Sequence, residues 1–448
     1  MKSMSTVLNN CPRVLVVSHT VFSSNGNMGK TMMDLLSCIP PKKLAQIYFH
    51  SEVPTQMNCE RYFRITDLDI LKSVFSRKPR FTIYEKEDIK TDRIDSRTDS
   101  GISAKLYQHA RKRTPLIYLM RNIMWSVGKW QSNELNRWIK EFDPELIFFA
   151  TSDYSFAYKI VCRLSDQYNV PIVMWCSDDY YISRRNSNSL LYNYIYANRI
   201  KWARKTAARS CHMITISDKM QNDYAMLFQI PITTLHISAH ENRYKLAPTQ
   251  RKGIVYTGNL GINRVDSLLE VGMALKKANI SDYGCIDVYS AEKNPKTLDR
   301  LTIENGIRFH GAVGKEKLEE ILGHAKFVLY TEAFDEDSKV RTRYSLSTKV
   351  AEYLQSGACI LAYGPNDISA IEYLSENNVA VILKEAENAP DIILWMLGAY
   401  KEYEQMQLNA MKLAENEHDR LKNERKIIDI LLQAKRGKIT DGQWKVCR

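Results

Sequence analysis

The sequence predicts an α/β protein built from two doubly wound parallel-sheet domains in tandem. Three observations carry this. Short, continuously apolar strand patterns alternate with helical ones along the chain, the signature of parallel sheets covered on both faces. Two such sets occur, separated by the polar, proline-bearing segment 240–252, HENRYKLAPTQRK. A length of 448 residues suits two large domains with tails rather than one.

In the first half the strand patterns are 13–18 RVLVVS, 45–49 AQIYF, 145–151 ELIFFAT, 171–177 PIVMWCS, 212–217 HMITIS and 233–237 TTLHI. In the second they are 253–258 GIVYTG, 285–290 CIDVYS, 307–311 IRFHG, 326–331 KFVLYT, 358–363 ACILAY and 379–383 VAVIL. Stretches such as 314–325, GKEKLEEILGHA, have helical spacing between them. Residues 85–103 are polar, charged and free of apolar periodicity, and read as a mobile loop. Residues 390–434 form a long helical pattern rich in Glu, Lys, Leu and Met. The expected domains are therefore 1–245 and 246–388, with 389–448 as C-terminal helices.

An apolar content of 44 % with 25 % charged residues is that of an ordinary globular chain with a full core. No N-terminal segment reads as a signal peptide, and no apolar run reaches the roughly 20 residues of a spanning helix. The nine cysteines stand singly, without a Cys-x-x-Cys pair, which argues against a disulfide framework or a zinc site and for a reduced, cytoplasmic setting. The net charge of +12 is concentrated. Residues 105–140 hold eight basic residues and one acid, a local +7, and 182–209 hold seven basic residues and no acid, another +7. One such run is usually a solvated face. Two, both interleaved with aromatics, point to an anionic partner.

The segment 23–31, SSNGNMGKT, follows the first strand and ends like a phosphate-binding P-loop. A Walker loop needs glycine five positions before its second glycine, so that main-chain amides wrap the phosphates without a side chain in the way. Here that position is Ser24. The expectation is a loop that faces an anion or a sugar at a helix N-terminus, not an NTP-cleaving site.

The stretch 342–365, TRYSLSTKVAEYLQSGACILAYGP, carries more. Ser347 and Thr348 suit the start of a helix, Gly357 its end, and a strand follows. That helix N-terminus faces the crevice at the strand ends where open α/β sheets bind ligands. Glu352, one turn in, is placed to accept two ribose hydroxyls or simply to complement the helix dipole. The segment 255–270, VYTGNLGINRVDSLLE, is a strand, a glycine turn and a helix with Arg264 at its start. Two helix N-termini and an arginine suit a diphosphate held without a metal, and no metal-ligand cluster is apparent in the sequence.

Three blocks of the second half, YTGNLGINR (256–264), IRFHGAVGKEKLEEILGHAKFVLYTEAF (307–334) and STKVAEYLQSGACIL (347–361), resemble the donor-binding domain of the retaining family-four glycosyltransferases of GT-B fold. In the first half 14–36 and 213–228 resemble the same family's opening strand and loop and its last strand–helix unit. The resemblance implies two Rossmann-like domains facing a central cleft, with the C-terminal helices returning to the first. It implies a nucleotide-diphosphate sugar on the second domain. Glu352 would take the ribose, Ser347 and Thr348 with their main-chain amides the diphosphate, Arg264, alone or with Lys349, would be the counter-charge, and Asn25, Gly26 and Asn27 would approach from the first domain. No cofactor beyond the nucleotide sugar is implied. The family's second glutamate, eight residues before Glu352, is Tyr344 here, and the basic residue after the loop glycine is Asn259. Glu332 and Glu336 are candidates for contacting the transferred sugar.

For the acceptor, Asp178 and Asp179 follow a strand and His19 follows the first strand. Each is a candidate to orient a hydroxyl, although aspartates there commonly cap the next segment. Retention by front-face attack would make the donor phosphate the proton acceptor instead. Residues 116–130 place Leu116, Leu119, Met120, Ile123, Val127 and Trp130 at helical spacing, with Trp125, Trp130 and basic flanks. This fits a core stripe or contact with anionic lipid. The expectation is a metal-independent transferase for polysaccharide biosynthesis, of capsule or exopolysaccharide, peripheral on the inner face of the cell membrane. Its acceptor would be a saccharide or lipid-diphosphate-linked saccharide, and nucleic acid is not expected. The alternatives are a nucleotide-sugar epimerase or hydrolase on the same fold, or a nucleotide-binding subunit without catalysis.

Overall fold

The structure, a computed structural model, describes residues 11–23, 27–55, 58–75, 79–85, 89, 114–184, 187–239, 246–440 and 443–445. Asn25, Gly26, most of the expected 85–103 loop and part of the 240–252 linker lie outside these. The chain divides into two compact units, Met1–Leu235 with Glu424–Arg448, and His236–Asn423.

The first unit runs β1 (Val14–Ser18), α1 (Asn27–Leu35), β2 (Leu44–Tyr48), β3 (Arg61–Arg64), α2 (Asp67–Phe75), β4 (Thr82–Glu85), α3 (Pro115–Val127), α4 (Asn133–Phe142), β5 (Leu146–Ala150), α5 (Ser155–Tyr168), β6 (Ile172–Cys176), α6 (Leu190–Ala207), β7 (Ser210–Thr215), α7 (Asp218–Ala225) and β8 (Ile232–Thr234). Its eight strands are ordered β4-β3-β2-β1-β5-β6-β7-β8, parallel except for the β3–β4 pair at one edge. Strands β1, β5 and β6 are buried along their whole length, which is why they read as unbroken apolar runs.

The second unit runs β9 (Lys252–Thr257), α8 (Arg264–Ala278), β10 (Ile286–Tyr289), α9 (Pro295–Leu298), β11 (Ile307–Gly311), α10 (Lys315–His324), β12 (Ala325–Thr331), α11 (Glu336–Thr342), α12 (Thr348–Ser356), β13 (Cys359–Tyr363), α13 (Ser369–Glu376), β14 (Ala380–Leu383), α14 (Ala389–Gly398) and α15 (Tyr400–Glu417). Its six strands are all parallel, in the order β11-β10-β9-β12-β13-β14. In both sheets the order reverses beside the first strand, between β1 and β5 and between β9 and β12. These are the switch points at which open sheets leave a crevice beyond the strand ends.

Helix α16 (Arg420–Lys435) follows, then a short antiparallel pair, β15 (Lys438–Thr440) with β16 (Gln443–Lys445). Ile427, Ile428 and Leu431 pack in the first unit's core, and Lys435 Nζ pairs with Glu145 Oε1 at 2.8 Å. Helices α14 and α15 instead pack on the second sheet through Ile393, Met396, Tyr403, Ala410 and Ala414. The expected boundary at 388/389 thus falls inside the second unit, and membership of the first resumes at Glu424. No described helix is long and apolar enough to cross a membrane.

Candidate functional site

At the second sheet's switch point, β9 delivers Tyr256 and Thr257 to a turn at Gly258. Its φ is +101°, a conformation open to glycine at no steric cost, and a Cβ there would stand 3.0 Å from Lys349 Cδ. The same glycine therefore lets a lysine stem lie across the turn. The loop continues through Ile262 and Asn263, both left-handed at φ 59° and 53°. For a β-branched residue such as Ile262 this is strain, roughly 1–3 kcal/mol, of the kind that collects at functional sites.

Arg264 opens α8 and is buried. Its Nε and Nη2 donate to the two Glu332 oxygens at 3.0 and 3.1 Å, a bidentate pair. Glu332, just past β12 and 1 % exposed, also accepts from Tyr330 Oη at 2.6 Å. Burial pulls the Arg264 guanidinium down, but the Glu332 carboxylate beside it prevails and holds its pKa above the usual value. Arg264, expected as a counter-charge for diphosphate, thus already has an internal carboxylate partner. Glu332, expected as a sugar contact, is that partner. Glu336 is exposed on α11 and pairs with Lys339 at 2.9 Å.

Ser347 caps α12 by accepting from Lys349 N at 3.4 Å. Thr348 is exposed at the first helical position and Glu352 is half-buried one turn on. The far end of α12 is closed by Gly357 in the left-handed region, with Arg251 donating to Ser356 O at 2.9 Å, a cation where the helix dipole favours one. Tyr353 Oη locks the helix to the sheet, accepting from Thr257 N at 3.0 Å and donating to Leu329 O at 3.3 Å. Lys349 is buried: its Nζ donates to Tyr256 Oη at 3.1 Å and lies over the Tyr256 and Tyr330 rings at 4.4 and 5.2 Å. Burial lowers its pKa, since desolvation disfavours the charged form. Tyr344, at the position of the family's second glutamate, is a core residue.

At the first sheet's switch point His19 meets the His50 and Tyr154 rings at 5.6 and 5.0 Å, with the Arg121 guanidinium 3.9 Å over Tyr154. Asp179 belongs to a different cluster beyond β6. Its oxygens accept from the Tyr181, Ile182 and Ser183 amides and from Tyr224 Oη, so it organises the 179–183 turn. Asp178 is exposed, with Tyr180 Oη at 3.4 Å. Of Asn27 only its place at the start of α1 is described. Gly29 is explained by packing: a Cβ there would stand 2.4 Å from Val21 O.

The structure thus brings Arg264 and the N-terminal turn of α12, with Ser347, Thr348, Lys349 and Glu352, to the carboxyl ends of β9 and β12, and leaves His19 and Asp179 in separate clusters. Sequence reasoning missed Tyr256, Tyr330 and Tyr353. Their only signal was a tyrosine in an otherwise apolar strand or helix face. Among the described residues no three His, Cys, Asp or Glu side chains converge as a metal would require.

No family model and no curated protein matches this sequence. Solved structures do match over almost the whole chain. HepE from Anabaena, in complex with UDP, is 12 % identical with a TM-score of 0.60, covering 94 % of this chain and 99 % of its own. WaaG, a glycosyltransferase involved in lipopolysaccharide biosynthesis, is 12 % identical with a TM-score of 0.52, covering 93 % and 99 %. Sucrose-phosphate synthase from Thermosynechococcus elongatus is 10 % identical with a TM-score of 0.56, covering 93 % and 98 %. With two parallel-sheet α/β units and these neighbours, the chain has the GT-B fold of glycosyltransferases.

Proposed function

We propose that this protein is a retaining, metal-independent glycosyltransferase. It moves a hexose-type sugar from a nucleotide-diphosphate donor to a polysaccharide or lipid-linked saccharide, at the cytoplasmic face of a membrane. The observation that carries the reading is at the carboxyl ends of the central strands β9 and β12, where the N-terminal turn of α12 lays the buried Lys349 against the Gly258 turn and carries the half-buried Glu352 one turn on. The structures of HepE with UDP, with UDP and glucose, and with UDP-glucose favour the same ligand class.

In this reading the α12 amides and Lys349 oppose the charge that grows on the departing diphosphate. Glu352 accepts the ribose hydroxyls. The Arg264–Glu332 pair holds the glycine loop in shape instead of meeting phosphate itself. Asp179 is occupied by its turn, which fits front-face attack with the donor phosphate taking the acceptor's proton. His19 and the exposed Asp178 remain the side chains proposed to orient the acceptor.

The test is product analysis with UDP- and GDP-sugars and a lipid-linked saccharide in the presence of EDTA. The expected result is nucleoside diphosphate release that depends on acceptor, and a product with the donor's anomeric configuration. Release without acceptor would favour the hydrolase reading, and conversion of the donor to an isomeric nucleotide sugar without release would favour the epimerase reading. Inversion, or loss of activity in EDTA, would overturn retention or metal independence.

A further inference from the structure

Helix α3 is turned inside out for a helix that meets water. Its inward face is polar and aromatic. Arg121 Nε and Trp125 Nε1 both donate to Asp67 Oδ1, at 2.9 and 2.7 Å, Tyr118 bonds Asp153, and Asn122 accepts from Ser155 Oγ at 3.1 Å. Trp125 stacks on Phe156 at 4.1 Å. The outward face holds Leu116, Met120, Ile123 and Val127, which are 57, 62, 53 and 63 % exposed. Their spacing of three and four residues makes them one stripe. A surface helix ordinarily presents the reverse arrangement, and a contiguous exposed apolar stripe marks a contact surface.

The flanking helices extend the pattern. α2 and α6 both pack against α3, and each exposes a large apolar side chain, Phe75 at 88 % and Leu190 at 85 %. On α6 the exposed positions pass from Leu190 and Tyr194 to Lys201 and Arg204 at helical spacing. Neither α3 nor α6 contains an acidic residue. The acids of α2 are engaged internally, Asp67 by Arg121 and Asp69 by Thr66. These three helices are therefore apolar along α3 and cationic on α6, with no acid of their own left unengaged to repel an anion.

We infer that the outward face of α3, with α6 beside it, docks on an anionic lipid surface: the four aliphatic side chains enter the acyl boundary, and Lys201 and Arg204 meet headgroup phosphates. This differs from the sequence expectation in its apolar anchors. Trp125 is core, and the work falls to the aliphatic stripe. The inference makes no use of the donor site.

The test is sedimentation of the full chain with vesicles of phosphatidylglycerol and phosphatidylcholine, and of phosphatidylcholine alone. The variants are Leu116→Ser with Met120→Ser and Ile123→Ser, and separately Lys201→Ala with Arg204→Ala. The wild type should bind the anionic vesicles, less so as salt rises. The apolar variant should lose at least about tenfold in partitioning, and the charge variant should lose its salt dependence. All three residues of the apolar variant are exposed, so its melting temperature should match the wild type. Equal partitioning of the apolar variant and wild type would overturn the inference. So would a dimer in solution that the apolar variant dissociates, with no vesicle binding by either.

Discussion

Lys349 and Glu332 show two different uses of buried charge within a few ångströms of one loop. Glu332 takes both guanidinium nitrogens of Arg264 and a tyrosine hydroxyl. Removing it strands a buried cation, so Glu332→Ala should cost about 3–5 kcal/mol of folding free energy in a urea titration. Lys349 sets a hydroxyl and two aromatic rings against its charge, and burial outweighs the Glu332 and Glu352 carboxylates nearby and depresses its pKa. Between the folded and unfolded values the unfolded chain holds the extra proton, so stability rises with pH through that window. At neutral pH the residue is therefore a cost to folding. Lys349→Met should raise the unfolding free energy, on the order of 1 kcal/mol, while weakening nucleotide binding. A loss of both would make Lys349 a structural residue. Neither use was legible in the sequence. Arg264, Ser347 and Glu352 stood out because helix starts and glycine turns have local signatures, whereas the pairing of residues 264 and 332 depends on two strands lying side by side.

At the scale of elements, strands buried on both faces were legible because burial erases alternation: LIFFA and KFVLYT are read directly. The strands RYFR and TIYE were missed. They lie toward the sheet's edge, β4 is nowhere fully buried, and arginines close both ends of β3. Helix α3 was read as a helix with its apolar stripe assigned to core or lipid. Which side it turns outward is decided by Asp67 and Phe156, on other elements. Strand β7 carries a consequence for acid stability. Burial lowers the pKa of His212 to about 4, with its Nε2 on Thr233 Oγ1 at 2.9 Å. Below its unfolded value near 6.5 the unfolded chain takes up a proton that the folded one refuses, so stability falls from about pH 6.5 toward pH 4, by up to about 3 kcal/mol. His212→Gln should flatten urea midpoints across that range.

At the scale of the whole molecule, each unit has its own sheet, core and switch point. This two-unit organisation is what the alternation of patterns had announced. The course of the C-terminal helices was harder to read, because an amphipathic pattern fits any sheet with a free face. α14 and α15 cover the second sheet, and α16 joins the first unit's core. The central claim is that the second unit holds a nucleotide-diphosphate sugar at the α12 N-terminus, with Glu352 on the ribose. Calorimetric titration of the full chain with UDP, GDP and their sugars tests it most directly. The expected result is binding of one nucleotide series with a dissociation constant on the order of micromolar, weakened at least about tenfold in Glu352→Ala with the melting temperature unchanged. Wild-type protein that binds none of them, or a Glu352→Ala variant that binds as tightly as the wild type, would contradict it.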